Sequence, residues 1–292
     1  MAFQATLSRI GISKILLATD FSPESQNALQ CALALARRYA SKLFLTYVIP
    51  AEVSTVGGDT WPPLMGMAQH NAEASMAQLE QREDLKSFPH EVILRSGDTW
   101  ESILQVVSDQ DIDLVVMDTH GRGAINMLIM GSIAEKVIRH ATCPVLSVGP
   151  HVGPLSLDRF GHILYATDFS SGSVAALTYA LSLAEQDRAE LTMLHVIQSK
   201  AVSDSYLIEW KRQDRESMRK LIPPGLDLAY PPEIEVEVGD PAEEILGLAE
   251  TREAELIVMG SHAGTLSTHF PWTTLHHVLQ KAPCSVLTVR AT

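Results

Sequence analysis

Short apolar runs alternate along the chain with longer amphipathic stretches. The runs ILLAT at 15–19 and DLVVM at 113–117 are almost wholly apolar, which is typical of strands that are buried on both faces. Between such runs, Leu and Ala recur at helical spacing, as they do from Ser22-Pro23, a typical helix start, to Tyr39. Strands that alternate with helices predict an α/β fold with a doubly wound parallel sheet and helices on both faces.

The spacing of apolar positions predicts ten strands and eight helices. The predicted strands are residues 14–19, 43–49, 91–95, 113–118, 144–148, 162–167, 190–197, 234–238, 255–260 and 285–290. The predicted helices are residues 22–39, 67–86, 98–109, 131–140, 171–187, 203–220, 240–252 and 272–281. Residues 50–66 are rich in Gly and Pro and are predicted to be a long loop, and Trp210 is expected to pack against the sheet.

The element pattern occurs twice because the chain contains an internal repeat. Residues 15–49 align without gaps with residues 163–197 at an offset of 148 and match at 17 of 35 positions. Later blocks, such as 113–121 and 255–263, align at an offset of 142. A repeat of roughly 140–150 residues has the size of a common domain. We therefore predict a first domain at 1–150, a linker at 151–160 and a second domain at 161–292.

Composition and charge exclude several classes of function. The chain has Lys+Arg 22 against Asp+Glu 35, a net charge of -13, and this leaves too few cations to neutralise a nucleic-acid backbone. No apolar run approaches the roughly 20 residues that span a bilayer, and no secretory signal opens the chain. Three cysteines cannot form a disulfide framework. We therefore predict a cytoplasmic protein that binds neither nucleic acid nor membrane.

Candidate chemistry lies at the carboxyl ends of the predicted strands, where open α/β sheets bind ligands. Asp20 follows the first strand and Asp168 repeats it, while Asp118 ends the strand at 113–118. Asp20 and Asp118 follow adjacent strands of the predicted sheet, so they could hold Mg²⁺ together or could be a solvated pair. Asp20 and Asp168 could instead cap the helices that follow them. The residues leave these alternatives open.

Several separated motifs together resemble the universal stress protein family. They are the strand-TDFS-helix opening, the segment VVMDTHGRG, the Gly-Ser helix start and the ending CPVLSV, and most of them occur twice in the same order. The doubling is similar to the tandem-domain members of that family. The resemblance implies a five-stranded parallel sheet of the adenine nucleotide alpha hydrolase-like type in each domain, with the halves related by a pseudo-twofold axis. The last strands are expected to pair across that axis, and a homodimer stays open.

In nucleotide-binding members, a motif G-x2-G-x9-G-[S/T] surrounds the phosphates of ATP. The resemblance therefore implies that Asp20 contacts the ribose and Val48 the adenine, and it assigns the phosphates to Gly121, Gly131, Ser132 and Ile133. Asp118 stands where the family has its first glycine. A carboxylate there would repel a triphosphate unless a cation such as Mg²⁺ lies between them.

The second copy matches the family's nucleotide motif less well. Its corresponding residues are Asp168, Val196 and Gly260, but Ala263 replaces the second glycine and the Gly-Ser helix start is lost at Trp272. The sequence therefore predicts that the surviving site lies in the first copy.

Three hypotheses for function follow. The first is a regulatory module that binds ATP, with Mg²⁺, in its first domain and has no catalytic centre beyond weak ATP hydrolysis. The second, ranked nearly level, is a nucleotide-independent stress-response protein that docks on other proteins after both sites have decayed. The third, ranked well behind, is a metal-dependent phosphotransferase or hydrolase that uses Asp20 and Asp118. No ligand set for a structural metal is expected from the histidines of the second copy.

Overall fold

The structure is a computed structural model that describes residues 10–23, 25–51, 55–56, 59–60, 62–119, 130–149, 152, 159–198, 204–261 and 272–291. The chain forms two compact units. The first is Gly11–Asp158, and the second is Arg159–Thr292 together with Ile10. We call them domain 1 and domain 2. Ile10 belongs to domain 2 because its N–H donates a hydrogen bond to Ser182 Oγ at 3.0 Å. The boundaries at 150 and 161 stay a prediction.

Domain 1 contains five parallel strands and a short antiparallel pair. Its elements are β1 (Lys14–Ala18), α1 (Ser25–Tyr39), β2 (Lys42–Pro50), β3 (Thr55–Val56), β4 (Asp59–Thr60), α2 (Pro62–Glu80), α3 (Glu83–Lys86), β5 (His90–Gly97), α4 (Thr99–Asp109), β6 (Leu114–Asp118), α5 (Ser132–His140) and β7 (Val145–Val148). The sheet order is β7-β6-β1-β2-β5, and all of these pairs are parallel. Ile15 of β1 lies opposite both Leu43 and Leu114.

Domain 2 repeats the five-stranded parallel sheet. Its elements are β8 (His162–Thr167), α6 (Ser171–Asp187), β9 (Glu190–Ile197), α7 (Asp204–Leu221), β10 (Glu233–Val238), α8 (Pro241–Thr251), β11 (Leu256–Ser261), α9 (Trp272–Lys281) and β12 (Ser285–Arg290). The sheet order is β12-β11-β8-β9-β10, with every pair parallel. The predicted fold class, two tandem α/β domains with five parallel strands each, is confirmed.

Each domain has its core around its central strands. In β8, Ile163, Leu164 and Tyr165 are consecutive and have no exposed surface. Consecutive buried residues on a strand mean that both faces of the sheet are covered, which explains why these runs read as wholly apolar. None of the helices within the described ranges is both long and apolar enough to cross a bilayer.

The predicted helix at 67–86 is wrong in its bounds and its continuity. It is two helices, because the backbone of Arg82 is extended, with φ -64° and ψ 131°. The guanidinium of Arg82 binds the carboxylate of Asp84 at 2.7 Å and also donates to Gln26 of α1. The predicted loop at 50–66 is shorter than expected, since α2 already begins at Pro62, a favoured residue for the first helical position.

The predicted packing of Trp210 against the sheet is also wrong. Its side chain is 40% exposed. Among the described residues of α7, only Met218 is fully buried, while Lys211 and Asp214 contact Glu237 and His195 of the neighbouring strands. The amino-terminal half of the helix carries Trp210 on the surface.

Candidate functional site

The loop after β1 forms a tight turn that fixes the first candidate carboxylate. Thr19 Oγ1 accepts a hydrogen bond from Phe21 N at 3.1 Å, and Asp20 Oδ1 accepts one from Ser22 N at 2.9 Å. Between these two bonds, Phe21 has a φ of 60°, a left-handed conformation that an aromatic residue rarely adopts. The turn therefore holds Asp20 in one orientation at the carboxyl end of β1.

Domain 2 builds the same turn after β8. Thr167 Oγ1 accepts from Phe169 N at 3.0 Å, Asp168 Oδ1 accepts from Ser170 N at 3.1 Å, and Phe169 has a φ of 61°. Asp168 is only 6% exposed, whereas Asp20 is half-buried. The carboxylate of domain 1 is therefore the more accessible of the two.

The alternative in which these aspartates cap the following helices is wrong. Ser170 is the N-cap of α6, and its hydroxyl oxygen accepts from Ser173 N. In domain 1, Ser22 Oγ accepts from Ser25 N, the first residue of α1, at 3.3 Å. Each aspartate instead binds the N–H of the serine that does the capping, because the left-handed residue between them turns that N–H toward the carboxylate.

The candidate adenine contacts Val48 and Val196 lie near the ends of β2 and β9. Their side chains are buried, at 3% and 5% exposure, and so belong to the core of each domain. The residues before them, Tyr47 and His195, carry ring side chains that are half-buried. Tyr47 contacts Phe21 with ring centroids 4.8 Å apart, and His195 contacts Phe169 at 4.6 Å.

The sequence patterns did not point to the aromatic residues at 47 and 195. The only signal in the sequence was that Tyr47 and His195 occupy equivalent positions of the repeat and both carry ring side chains. His195 is further held by its Nδ1, 2.8 Å from Thr167 O, while its Nε2 lies 3.7 Å from Asp214 of α7.

A backbone hydrogen bond connects the residue after β6 with the residue before α5. Gly131 N donates to Thr119 O at 2.7 Å, and Thr119 N donates to Val148 O of β7 at 3.4 Å. Gly131 is the N-cap of α5 and has an extended backbone without a capping side chain. The first-turn N–H groups of α5 therefore begin at the strand end that also carries Asp118.

The structure brings most of the first-copy candidates to one edge of the sheet. Ala18 of β1 pairs with Met117 of β6, so Asp20 and Asp118 both follow shortly after a shared register position. Ser132 and Ile133 begin α5 and are exposed. Gly121 lies outside the described residues.

Domain 2 lacks open space at the position that corresponds to Asp118. A Cβ placed on Gly260 would lie 2.3 Å from the carbonyl carbon of Gly172 and from Ser173 N, both in the first turn of α6. Tyr165 secures the same turn, since its buried hydroxyl donates to Ser173 O at 2.8 Å. Burial raises the pKa of Tyr165 to about 12. The first turn of α6 thus covers the end of β11, while Ala263 lies outside the described residues.

The described residues contain no group of three or more His, Cys, Asp or Glu side chains arranged to hold a metal ion. His276 Nε2 lies 2.8 Å from Gln280 Nε2, and His277 Nε2 lies 3.8 Å from Glu243. The thiols of Cys143 and Cys284 are not activated, because burial raises the pKa of each to about 12.

Two open parallel sheets, each with a helix start at the ends of its central strands, define a tandem doubly wound α/β protein of the kind that binds ligands at strand ends. The profile of the Universal stress protein family matches residues 11–149 and 159–290. The chain belongs to the universal stress protein family, in its tandem-domain form.

Known relatives agree with this assignment. A universal stress protein of Mycolicibacterium smegmatis is 26% identical over 292 residues, which covers 94% of this chain and 96% of that protein. A universal stress protein of Thermus aquaticus is 32% identical over 135 residues, 46% of this chain and 96% of that protein. The crystal structure of a universal stress protein from Archaeoglobus fulgidus has a TM-score of 0.72 at 22% identity and covers 96% of this chain and 98% of that chain, which shows the shared fold.

Proposed function

We propose that domain 1 binds an adenine nucleotide, with ATP as the preferred ligand, and that the protein works as a cytoplasmic regulatory module rather than as an enzyme. The observation that carries the proposal is the hydrogen bond between Gly131 and Thr119, which places the start of α5 at the strand edge that also carries Asp20. A helix start, which suits an anion, and a carboxylate, which suits the hydroxyls of a ribose, thus follow neighbouring strands at the same edge of the sheet.

The phosphates would bind at the start of α5. The first N–H groups of a helix have no partner within the helix and carry the positive end of its dipole, so they favour a phosphate. Gly131 leaves this end free of a capping side chain, and the exposed Ser132 offers a hydroxyl beside it.

Asp118 gives the proposed site a requirement for a divalent cation. Its half-buried carboxylate lies at the end of β6, where the family's phosphate-binding motif begins. A carboxylate and a phosphate at short range repel each other. Mg²⁺ binds through one or two carboxylates together with the phosphates of its substrate. A Mg²⁺ ion between Asp118 and the triphosphate would turn the repulsion into an attraction.

The second candidate function, a nucleotide-independent interaction protein, is favoured by the surface of α7. Tyr206, Ile208 and Trp210 are 64%, 71% and 40% exposed. Tyr206 and Trp210 are one turn apart and lie on the same side of the helix, and exposed apolar surface of this kind is typical of contact sites. The two functions are compatible, since a partner on α7 would touch domain 2 while the nucleotide would bind domain 1.

Thermal unfolding with and without ATP and Mg²⁺ tests the proposal. A ligand that binds only the folded protein at one hundred times its Kd raises the free energy of unfolding by about 2.7 kcal/mol. We expect such a rise for the unaltered protein. Asp20→Asn should bind about tenfold more weakly, which reduces the rise to about 1.4 kcal/mol. Asp111→Asn is the matched control, because Asp111 is 91% exposed and its left-handed backbone is one that asparagine tolerates. An unchanged melting temperature in millimolar ATP and Mg²⁺ would refute the proposal.

A further inference from the structure

The left-handed backbone at Phe21 is an unusual feature of the turn after β1. Its φ of 60° is matched by 61° at Phe169 in domain 2. Glycine adopts this conformation freely, whereas a bulky side chain pays a steric cost there. Both domains therefore keep a phenylalanine where glycine would fit the backbone better, so the ring itself must contribute something to the turn.

The ring of Phe21 is anchored on the neighbouring strand. Its centroid lies 4.8 Å from that of Tyr47 in β2, with the two ring planes inclined by 43°. Offset or tilted contacts at this distance are favourable for aromatic pairs. Because Thr19 Oγ1 also accepts from Phe21 N, both the backbone and the ring of Phe21 are tied to the sheet.

The conformation of Phe21 decides where the Asp20 carboxylate is held. The hydrogen bond from Ser22 N to Asp20 Oδ1, at 2.9 Å, closes a turn over Phe21, so the backbone angles of Phe21 set the direction from which the N–H of Ser22 meets the carboxylate. A phenylalanine locked on Tyr47 holds that state, whereas an unanchored residue would visit others.

We propose that Phe21 is a positioning residue for nucleotide recognition: its ring, anchored on Tyr47, holds the left-handed turn that orients Asp20 toward the ribose hydroxyls. This inference rests on the proposed nucleotide site of domain 1 and deepens it. The preference for a nucleotide with ribose hydroxyls over one without them then depends on the pair Phe21 and Tyr47, which acts through Asp20.

Phe21→Gly is the sharpest variant, because glycine accepts a φ of 60° without strain and the protein should fold, while the anchor is removed. Calorimetry compares the affinities for ATP and for 2′,3′-dideoxy-ATP, each with Mg²⁺. We expect Phe21→Gly to weaken ATP by about tenfold, the size of one charge-assisted hydrogen bond, and to leave dideoxy-ATP unchanged. Tyr47→Ala should act likewise, and Tyr47→Phe should retain the preference for ATP.

Phe169→Gly is the matched control, since it makes the same change in the equivalent turn of domain 2. We expect it to leave both affinities unchanged. If Phe21→Gly weakens both ligands equally, or weakens neither, Phe21 does not position Asp20 for the ribose and the inference is overturned.

A second measurement needs no nucleotide and separates this inference from the proposed function. The amide chemical shift of Ser22, followed by NMR as the carboxylates titrate, should track Asp20 in the unaltered protein and in Phe169→Gly. In Phe21→Gly the amide shift of Ser22 should no longer respond to the carboxylate of Asp20. It should not respond in Asp20→Asn either, because that variant has no carboxylate at this position. If the shift still tracks Asp20 in Phe21→Gly, the inference is wrong whether or not ATP binds. If ATP does not bind but the shift behaves as expected, Phe21 still holds the carboxylate of Asp20, while its role in nucleotide recognition falls together with the proposed function.

Discussion

The two domains differ most at the contact between the first helix and the central strands. In domain 2, the buried hydroxyl of Tyr165 donates to Ser173 O, and Gly260 lets the backbone of Gly172 approach to a distance that no Cβ would permit. Helix α6 accordingly begins at Ser171, close against the ends of β8 and β11.

Domain 1 has replaced all three of these contact residues. The positions equivalent to Tyr165, Gly172 and Gly260 are Leu17, Glu24 and Asp118. Leucine cannot donate the hydrogen bond, and the Cβ of Asp118 forbids the same close approach. Helix α1 begins at Ser25, two positions later in the repeat than α6.

The two domains therefore differ in the backbone packing at the strand end that corresponds to Asp118, apart from their difference in glycine content. In domain 2 the first helix turn covers the strand end where the family places its first glycine. In domain 1 the same end carries the half-buried carboxylate of Asp118. The proposed nucleotide site of domain 1 rests on this difference.

Gly260→Ala should disturb the helix packing of domain 2 and should have the largest effect on the free energy of unfolding. A Cβ at 2.3 Å from two backbone atoms of α6 must displace the first helix turn, and overpacking of this kind costs about 3 kcal/mol. Gly247→Ala is the matched control, because nothing lies within 4 Å of a Cβ there and alanine favours the helix by roughly 0.5–1 kcal/mol. Denaturant unfolding measures both. Equal stabilities for the two variants would show that the helix start is not packed as described.

Tyr165→Phe should cost about 1.5 kcal/mol at neutral pH, since it removes a buried hydrogen bond, and Tyr206→Phe on the surface should cost nothing. The cost should depend on pH. The folded-state pKa of Tyr165 is raised from 10.0 to about 12, so its stabilising effect is complete below pH 10 and is lost as pH rises toward 12. By pH 11 the unaltered protein should lose about 1.4 kcal/mol that Tyr165→Phe does not. Parallel stability curves for the two proteins would contradict the buried environment of this tyrosine.

How far the sequence predicts these features depends on whether they are local. The strands were predictable because runs such as ILLAT show their burial directly, and the repeat located the candidate site twice. The break before α3 was not predictable, because Arg82 is held by Gln26 of a distant helix. The positive φ at Phe21 and Phe169 was not predictable either, because phenylalanine rarely adopts that conformation. The readable signs of the close helix packing in domain 2 were the differences between the copies at Tyr165, Gly172 and Gly260.

Asp118→Asn tests, in domain 1, the effect of the carboxylate that stands where domain 2 has Gly260. The change keeps the shape of the side chain and removes its charge, so the repulsion of a triphosphate disappears. We expect ATP affinity without Mg²⁺ to rise about tenfold, equivalent to about 1.4 kcal/mol, and the benefit of added Mg²⁺ to shrink. Asp111→Asn again controls for the loss of one charge. An affinity that falls in Asp118→Asn at every Mg²⁺ concentration would mean that this carboxylate contacts the nucleotide itself.

The most direct test of the account is the stoichiometry of ATP binding, measured by isothermal titration calorimetry with Mg²⁺ on the whole chain. The account predicts a value close to one nucleotide per chain, because the helix start in domain 2 covers its strand end, and it predicts that Asp20→Asn weakens the binding by about tenfold. Two nucleotides per chain, or binding that survives Asp20→Asn at full strength, would contradict it.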